Sequence, residues 1–125
     1  MASALPLISR NVVLNNLDQT IYPRELEWGA PLPTWLERDA TDCSLICAAD
    51  VIYSADTSMA FVSTLALLAT KLQSSCRCAL VLNKERSTQL ISMFESSMTG
   101  AGLVWQRIAV EEHSKDGYIL HKIQL

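Results

Sequence analysis

The sequence predicts an α/β fold, and three observations lead to that class. Two short runs, Ser44 to Ala49 and Cys78 to Leu82, are apolar on both faces, as in parallel strands covered by helices on both sides. Each run precedes a stretch with apolar residues at helical spacing. Two alternating segments, 104–110 and 118–123, then favour an antiparallel pair across the loop 111–117. We expect one domain, residues 1–125, in which parallel strands are joined to an antiparallel hairpin.

The first third of the chain predicts less regular structure. A helix is expected over residues 3–14, with Ser3 as its cap and Pro6 in its first turn. A brief strand is expected from Ile21 to Leu26, which Pro23 would confine to a sheet edge. The prolines and charges of 30–42 predict a loop.

Two further helices are predicted between the strands. The first covers about 57–73, begins at a cap that is either Ser54 or Asp56, and carries an apolar stripe of Phe61, Leu65, Leu68 and Leu72. The second runs from the cap Ser87 to about Met98, carries Leu90, Ile91 and Phe94, and is ended by Gly100 and Gly102.

Composition excludes several classes of function. The 125 residues are 50% hydrophobic and 18% charged, which indicates a packed core. Ten Lys and Arg against thirteen Asp and Glu give a net charge of -3, so no basic surface for nucleic acid is expected. No run approaches the roughly 20 apolar residues of a membrane span. The four cysteines lie within apolar runs, which indicates reduced thiols in the cytoplasm or nucleus and no zinc knuckles.

Three groups follow predicted strand ends, where ligands of open α/β sheets bind. They are Glu27-Trp28, Asp50 to Tyr53, and Asn83 to Arg86. Each also has a purely structural interpretation: the Trp as a core residue, the Asp as a turn cap, and Lys84-Glu85-Arg86 as a solvated loop. None of the three is specific when taken alone.

Taken in order, these motifs resemble the class I, seven-strand methyltransferases, and within them the protein-lysine methyltransferases. In that family an Asn-rich segment like Asn11 to Asn16 precedes a strand ending in a motif like Leu26-Glu27-Trp28-Gly29. The next strand ends in Ala-Asp followed by two residues and Tyr, matched by Ala49-Asp50 and Tyr53. Segments 24–28 and 71–85 are most similar to the methyltransferase-like protein 22 branch.

The resemblance implies a cofactor, a partner and roles for five residues. S-adenosylmethionine would be the methyl donor and a lysine side chain of another protein the acceptor. Trp28 would contact adenine, with Glu27 and Ala49 as further cofactor-binding residues. Asp50 and Tyr53 would be catalytic and hold the amine. The implied sheet is Rossmann-like, with strand order 3-2-1-4-5-7-6.

The sequence departs from the family in one respect, since the first two strands, with the Gly-rich cofactor turn and the ribose-binding acid, have no counterpart. The chain is therefore expected to be the C-terminal part of a methyltransferase domain, from a truncated gene product, an alternative start or a partial gene model. We expect that alone it neither binds S-adenosylmethionine tightly nor transfers its methyl group, that Trp28 is not positioned, and that an exposed sheet edge promotes self-association. The alternative function is a catalytically silent interaction module.

Overall fold

A computed structural model describes residues 4–39, 43–71, 78–109 and 117–125. The helices and strands in chain order are α1 (Leu5–Leu14), α2 (Thr34–Asp39), β1 (Leu45–Ala49), α3 (Ala55–Lys71), β2 (Cys78–Lys84), α4 (Thr88–Gly100), β3 (Val104–Ile108) and β4 (Tyr118–Gln124). No helix within these ranges is both long and apolar enough to cross a bilayer.

The four strands form one mixed sheet in the order β1-β2-β4-β3. β1 and β2 are parallel, with Leu45 opposite Cys78. β4 is antiparallel to both of its neighbours, β2 and β3. This arrangement confirms the predicted α/β class, in which parallel strands meet an antiparallel hairpin, and is consistent with part of a Rossmann-like sheet.

Helices α3 and α4 pack side by side on one face of the sheet. In β2 the buried residues alternate with half-buried ones, so Ala79 and Val81 face the helices, and Ile123 of β4 lies opposite Ala79 on the same face. The core is apolar and continuous, and comprises Ile52, Phe61, Val62, Leu65, Ala79, Val81, Ile91, Phe94, Met98, Leu103 and Ile123. Its most buried side chains come from α3, α4, β2 and β4 together.

The prediction that β1 is covered on both faces is wrong for the described residues. Ile46 and Ala48 pack against the core, whereas Leu45, Cys47 and Ala49 are exposed. Both long helices, α3 and α4, lie on the same side of the sheet, so neither of them covers the other face of β1. An apolar strand sequence indicates that both faces tolerate burial, but the connections decide where the covering helices lie.

Two predictions for the first third of the chain are also wrong. Residues 21–27 form no strand; instead the Ile21 N–H donates to the Leu17 carbonyl at 2.8 Å, which bends the chain away from an extended path. Pro23 cannot donate to a ladder. Within 30–42, residues Thr34–Asp39 form α2, directly after Pro33, because proline disrupts a helix interior but is compatible with a helix start.

The remaining helix predictions are largely confirmed. Of the two candidate caps for α3, Ser54 accepts the Thr57 N–H at 3.2 Å. Ser87 caps α4 by accepting the Leu90 N–H at 3.3 Å. α1 begins after Ala4; the proposed cap Ser3, the stripe residue Leu72, and 110–116 of the final loop lie outside the described residues.

Candidate functional site

An open cavity of about 490 Å³ lies beside the N-terminal half of α3. It is lined by residues from the loop before α2, from the turn after β1 and from α3: Leu26, Trp28, Tyr53, Asp56, Thr57 and Ala60. Its volume lies within the range of roughly 300–1,000 Å³ typical of small-molecule sites. Two aromatic side chains and one carboxylate at a single cavity make it the candidate site.

The turn carrying Trp28 is attached to α3 by one hydrogen bond and one aromatic contact. The Gly29 N–H donates to the hydroxyl of buried Thr64 at 2.8 Å, and that hydroxyl donates to the Ala60 carbonyl at 3.0 Å. The Trp28 ring lies 4.9 Å from the Phe61 ring, tilted by 58°. Gly29 has φ +79°, and a Cβ there would lie 3.2 Å from Ala60 Cβ. The turn therefore needs a glycine, both for its backbone and for its approach to the helix.

The expectation that Trp28 is not positioned is wrong. That expectation assumed that a neighbouring strand must hold the preceding segment. The structure instead holds the Trp28-Gly29 turn through α3, by the Thr64 hydroxyl and the Phe61 ring. Side-chain contacts with a helix replace ladder hydrogen bonds as the anchor.

The turn after β1 carries Asp50 and Tyr53 and is held by the end of β2. Asp50 has φ +55°, an uncommon backbone conformation for a residue other than glycine. Its N–H donates to the Leu82 carbonyl at 2.8 Å. Both of its carboxylate oxygens accept hydrogen bonds from Arg86, each at 2.6 Å. The end of β2 thus fixes both the backbone and the side chain of Asp50.

The Asp50–Arg86 pair is solvent-exposed but geometrically favourable. The paired hydrogen bonds from Arg86, with its charge, hold the pKa of Asp50 below its usual value although desolvation opposes this. The same hydrogen bonds raise the pKa of Arg86. Asp50 is therefore ionised at neutral pH and acts as a hydrogen-bond acceptor there. Arg86 belongs to the segment 84–86 interpreted above as a possible solvated loop.

The structure brings some of the sequence-predicted site residues together and not others. Trp28 and Tyr53 line one cavity, although they are 25 positions apart in the chain. Asp50, Ala49 and Glu27 are exposed and do not line it. Ala49 is the last residue of β1 and lies opposite Leu82. Asp50 is the first residue of the turn that leads to Tyr53.

Sequence reasoning missed several residues that build this site. Asp56 was weighed as a helix cap, yet its side chain lines the cavity, as do those of Thr57 and Ala60. Thr64 is a buried polar residue on the apolar face of α3. Asn83 is a buried polar residue on the apolar face of β2. A polar residue at a core position was the available signal, because buried polar groups are almost always hydrogen-bonded.

The described histidine and cysteines lie outside the cavity. His121 of β4 is fully buried and bonds Glu95 through Nε2 at 2.8 Å. Cys43, Cys47 and Cys78 are free thiols, while Cys76 and His113 fall outside the described residues. Within the described ranges, no three His, Cys, Asp or Glu residues form a group able to hold a metal ion.

The mixed sheet, with two parallel strands beside an antiparallel hairpin, places the chain among α/β proteins whose sheet is consistent with part of a Rossmann-like fold. Comparison with known families identifies the member of that class: a family model described as lysine methyltransferase matches residues 1–98. The chain therefore belongs to the lysine methyltransferase family, as its motifs predicted. A search among curated proteins finds no significant match. The similarity to the methyltransferase-like protein 22 branch stays a prediction.

Proposed function

We propose that this chain contributes to the site of an S-adenosylmethionine-dependent protein-lysine N-methyltransferase. The observation that carries the proposal is the placement of Trp28 and Tyr53 on one cavity. They belong to the two motifs that carry the resemblance to the family, the one at Leu26 to Gly29 and the one at Asp50 to Tyr53, which we call the acceptor loop, and the family match covers both. The cavity lies beside the strand-end turn of the sheet, where ligands of open α/β folds bind.

The lining of the cavity fits parts of the proposed cofactor. Trp28 offers a flat apolar face, supported from behind by Phe61, on which an adenine ring can stack. Ala60 is small enough to leave room beside that face, and Asp56 supplies a negative charge that suits a sulfonium. S-adenosylmethionine, when bound, supplies an activated methyl group. Glu27 and Ala49, which do not line the cavity, are proposed to make peripheral cofactor contacts.

Tyr53 and Asp50 are proposed to orient the acceptor amine. Lysine has an ordinary pKa near 10.4, so it must lose a proton before its nitrogen lone pair can attack the methyl carbon. A displacement of this kind would require the amine nitrogen to be aligned with the methyl group, so the task of the protein would be alignment. The Tyr53 hydroxyl can accept a hydrogen bond from the amine. Asp50 retains acceptor capacity, because each carboxylate oxygen has two lone pairs and Arg86 occupies one on each.

The test of this proposal is a titration of the isotope-labelled chain with S-adenosylmethionine, followed by NMR, which detects weak binding. We expect shifts at the Trp28 indole and in 53–60. Trp28→Ala should weaken binding by roughly 1–3 kcal/mol, the usual value of base stacking on an aromatic ring. Trp35→Ala is the matched control, because Trp35 does not line the cavity.

Tyr53→Phe separates the two proposed roles. It keeps the ring and removes the hydroxyl, so in a full-length version that carries this sequence, cofactor binding should persist while transfer of labelled methyl to a lysine-containing protein falls. Equal loss of cofactor binding in Trp28→Ala and Tyr53→Phe would contradict the separate roles. A titration that shifts no cavity residue would contradict the proposed site.

The interaction module is a second candidate, favoured by the free edge of β1. No described strand pairs with that edge, and β1 contains no charged residue or proline to block pairing. The Asp50 N–H points to β2, so by alternation the N–H and C=O groups of Leu45, Cys47 and Ala49 point outward. An antiparallel pairing of two copies of β1 centred on Cys47 would satisfy all of these groups.

Cross-linking tests this pairing. Opposed Cys47 residues would have Cα atoms about 5.5 Å apart, within the range that a disulfide accepts. We expect mild oxidation to produce a dimer that Cys47→Ser abolishes and Cys43→Ser does not. Ala49→Lys should shift the chain towards monomer in sedimentation, because it places a charge on the edge. A monomeric wild-type chain at all concentrations would contradict self-association.

The free thiols indicate the cellular compartment in which the chain is expected. Cys43, Cys47 and Cys78 are unpaired, and reduced thiols are typical of the cytoplasm and nucleus. We propose one of these compartments, which imaging of the tagged chain would test.

A further inference from the structure

Asn83 occupies a core position in β2 at which the pattern calls for an apolar residue. Along β2 the buried positions are Ala79, Val81 and Asn83, and they face the helices. Asn83 is only 1% exposed. Its amide nitrogen Nδ2 has no hydrogen-bond partner among the described residues. A buried, half-satisfied amide is unfavourable compared with an apolar side chain, so a stabilising role in the core does not explain this residue.

The oxygen of the same side chain explains it. Asn83 Oδ1 accepts hydrogen bonds from two successive backbone groups, the Val51 N–H at 2.9 Å and the Ile52 N–H at 3.1 Å. These residues connect Asp50 to Tyr53 and belong to no helix or strand. Without Asn83 neither N–H would have its partner, and the turn would lose the contacts that set its path.

Two further contacts from β2 and the residues after it hold the start of the same turn. The Leu82 carbonyl accepts the Asp50 N–H, and Arg86 binds the Asp50 carboxylate with two hydrogen bonds. Asn83 is the buried member of this set, and Arg86 is the exposed one. Together they hold Asp50 in its positive-φ conformation and lead the chain from β1 to the cap of α3.

We infer that Asn83 is a positioning residue for the acceptor loop, Asp50 to Tyr53: its side-chain oxygen fixes the 51–52 backbone so that Tyr53 lines the same cavity as Trp28. This inference rests on the proposed function of Tyr53, since the value of the fixed turn depends on what Tyr53 does. Arg86 performs the same task from the solvent side. Trp28 is attached to α3 independently, through Thr64 and Phe61, so loss of Asn83 should misplace Tyr53 and leave Trp28 in position.

The test compares Asn83→Leu with Asn83→Asp. Leucine has similar size and no acceptor, whereas aspartate keeps an oxygen that can accept both N–H groups. In Asn83→Leu we expect hydrogen exchange of the Val51 and Ile52 amides to accelerate at least tenfold, whereas amides of β4 keep their protection. In a titration with S-adenosylmethionine, the Trp28 indole shift should persist and the Tyr53 shift should be lost. Asn83→Asp should restore the amide protection and the Tyr53 shift.

The outcomes separate this inference from the proposed function. Unchanged exchange of Val51 and Ile52 in Asn83→Leu would overturn the anchoring role, whatever the cofactor does. If S-adenosylmethionine causes no NMR shift in the wild-type chain, the proposed function fails. The exchange rates of Val51 and Ile52 in Asn83→Leu still show whether Asn83 holds this backbone. Equal loss of the Trp28 and Tyr53 responses would show a general structural effect and overturn the positioning role. If Asn83→Leu does not fold, Asn83→Ala, which removes the acceptor without adding a branched side chain, supplies the same comparison, with faster exchange expected at Val51 and Ile52.

Discussion

Residues 4–33 and the unit built from β1 to β4 with α3 and α4 are both rich in apolar side chains, but they bury them very differently. In α1 the one buried residue is Val12, and Leu7 and Leu14 are 62% and 66% exposed. In the sheet and its helices, Val81, Phe94 and Ile123 are fully buried. The difference shows that apolar periodicity defines which face could be buried, whereas burial itself requires a complementary surface.

The Trp28-Gly29 turn is the point where the two regions meet. Trp28 packs against Phe61 and the Gly29 N–H bonds Thr64, so this short turn is fixed although α1 is largely exposed. The candidate site therefore depends on the stable region for its position.

The largest effect should come from truncating the core. Phe94→Ala removes a fully buried ring that contacts Phe61 and His121, and should reduce the free energy of unfolding by about 3–5 kcal/mol. Leu14→Ala in exposed α1 is the control and should change it by less than about 0.5 kcal/mol. Urea unfolding followed by circular dichroism measures both. Similar losses in the two variants would show that α1 is packed as tightly as the core.

A smaller effect is expected from Gly29→Ala. Its positive φ and its contact with Ala60 Cβ should cost about 1–2 kcal/mol and displace the Trp28 ring. Gly100→Ala is the matched control: a Cβ there meets nothing within 4 Å and its φ is not positive, so stability should stay level or rise. Urea unfolding reports the loss of stability, and the Trp28 indole signal in the NMR spectrum, which is separate from those of Trp35 and Trp105, reports the displacement of the ring. A neutral Gly29→Ala would show that the turn is not attached to α3.

The smallest effect should be a fall in stability on mild acidification. Burial lowers the pKa of His121 from its usual 6.5, although the hydrogen bond to Glu95 opposes the shift. His121 therefore binds a proton more readily in the unfolded chain than in the folded one. The contribution of neutral His121 to the free energy of unfolding is fully present above pH 6.5, and it is lost as the pH falls towards the lowered pKa of the folded state. Burial alone would raise the pKa of Glu95, but the hydrogen bonds from Arg107 and His121 hold it below its usual 4.5. Ionised Glu95 therefore also stabilises the fold, and this stability is lost when the pH falls below 4.5.

His121→Gln tests the first of these two steps. The amide can still donate to Glu95 but does not titrate, so the fall in the urea midpoint between pH 7 and 5.5 should shrink. His113 is present in both proteins, and its contribution cancels in the comparison. An equal fall in the urea midpoint of the wild type and of His121→Gln would show that His121 is not the group responsible.

The sequence by itself determined the strand and helix order of the larger unit. The apolar runs, the serine caps and the helical spacing of Phe61, Leu65 and Leu68 are local signals, and they led to the correct elements and hairpin. The motifs at Trp28 and at Asp50 to Tyr53 were local signals as well, and they were enough to identify the family. Two predictions near prolines were wrong: the loop indicated by Pro31 and Pro33 contains a short helix directly after Pro33, and the strand expected in spite of Pro23 is absent.

Only the tertiary structure decided which faces are covered and how the site is held. That α3 and α4 share one face of the sheet follows from the strand connections, which no local pattern records. That Thr64 holds the Gly29 turn and Asn83 the turn after β1 depends on contacts between residues that are 35, 32 and 31 positions apart. A polar residue at a core position shows in sequence that a partner is required, since burial makes an unpaired group unfavourable. The identity of that partner is set by packing in three dimensions.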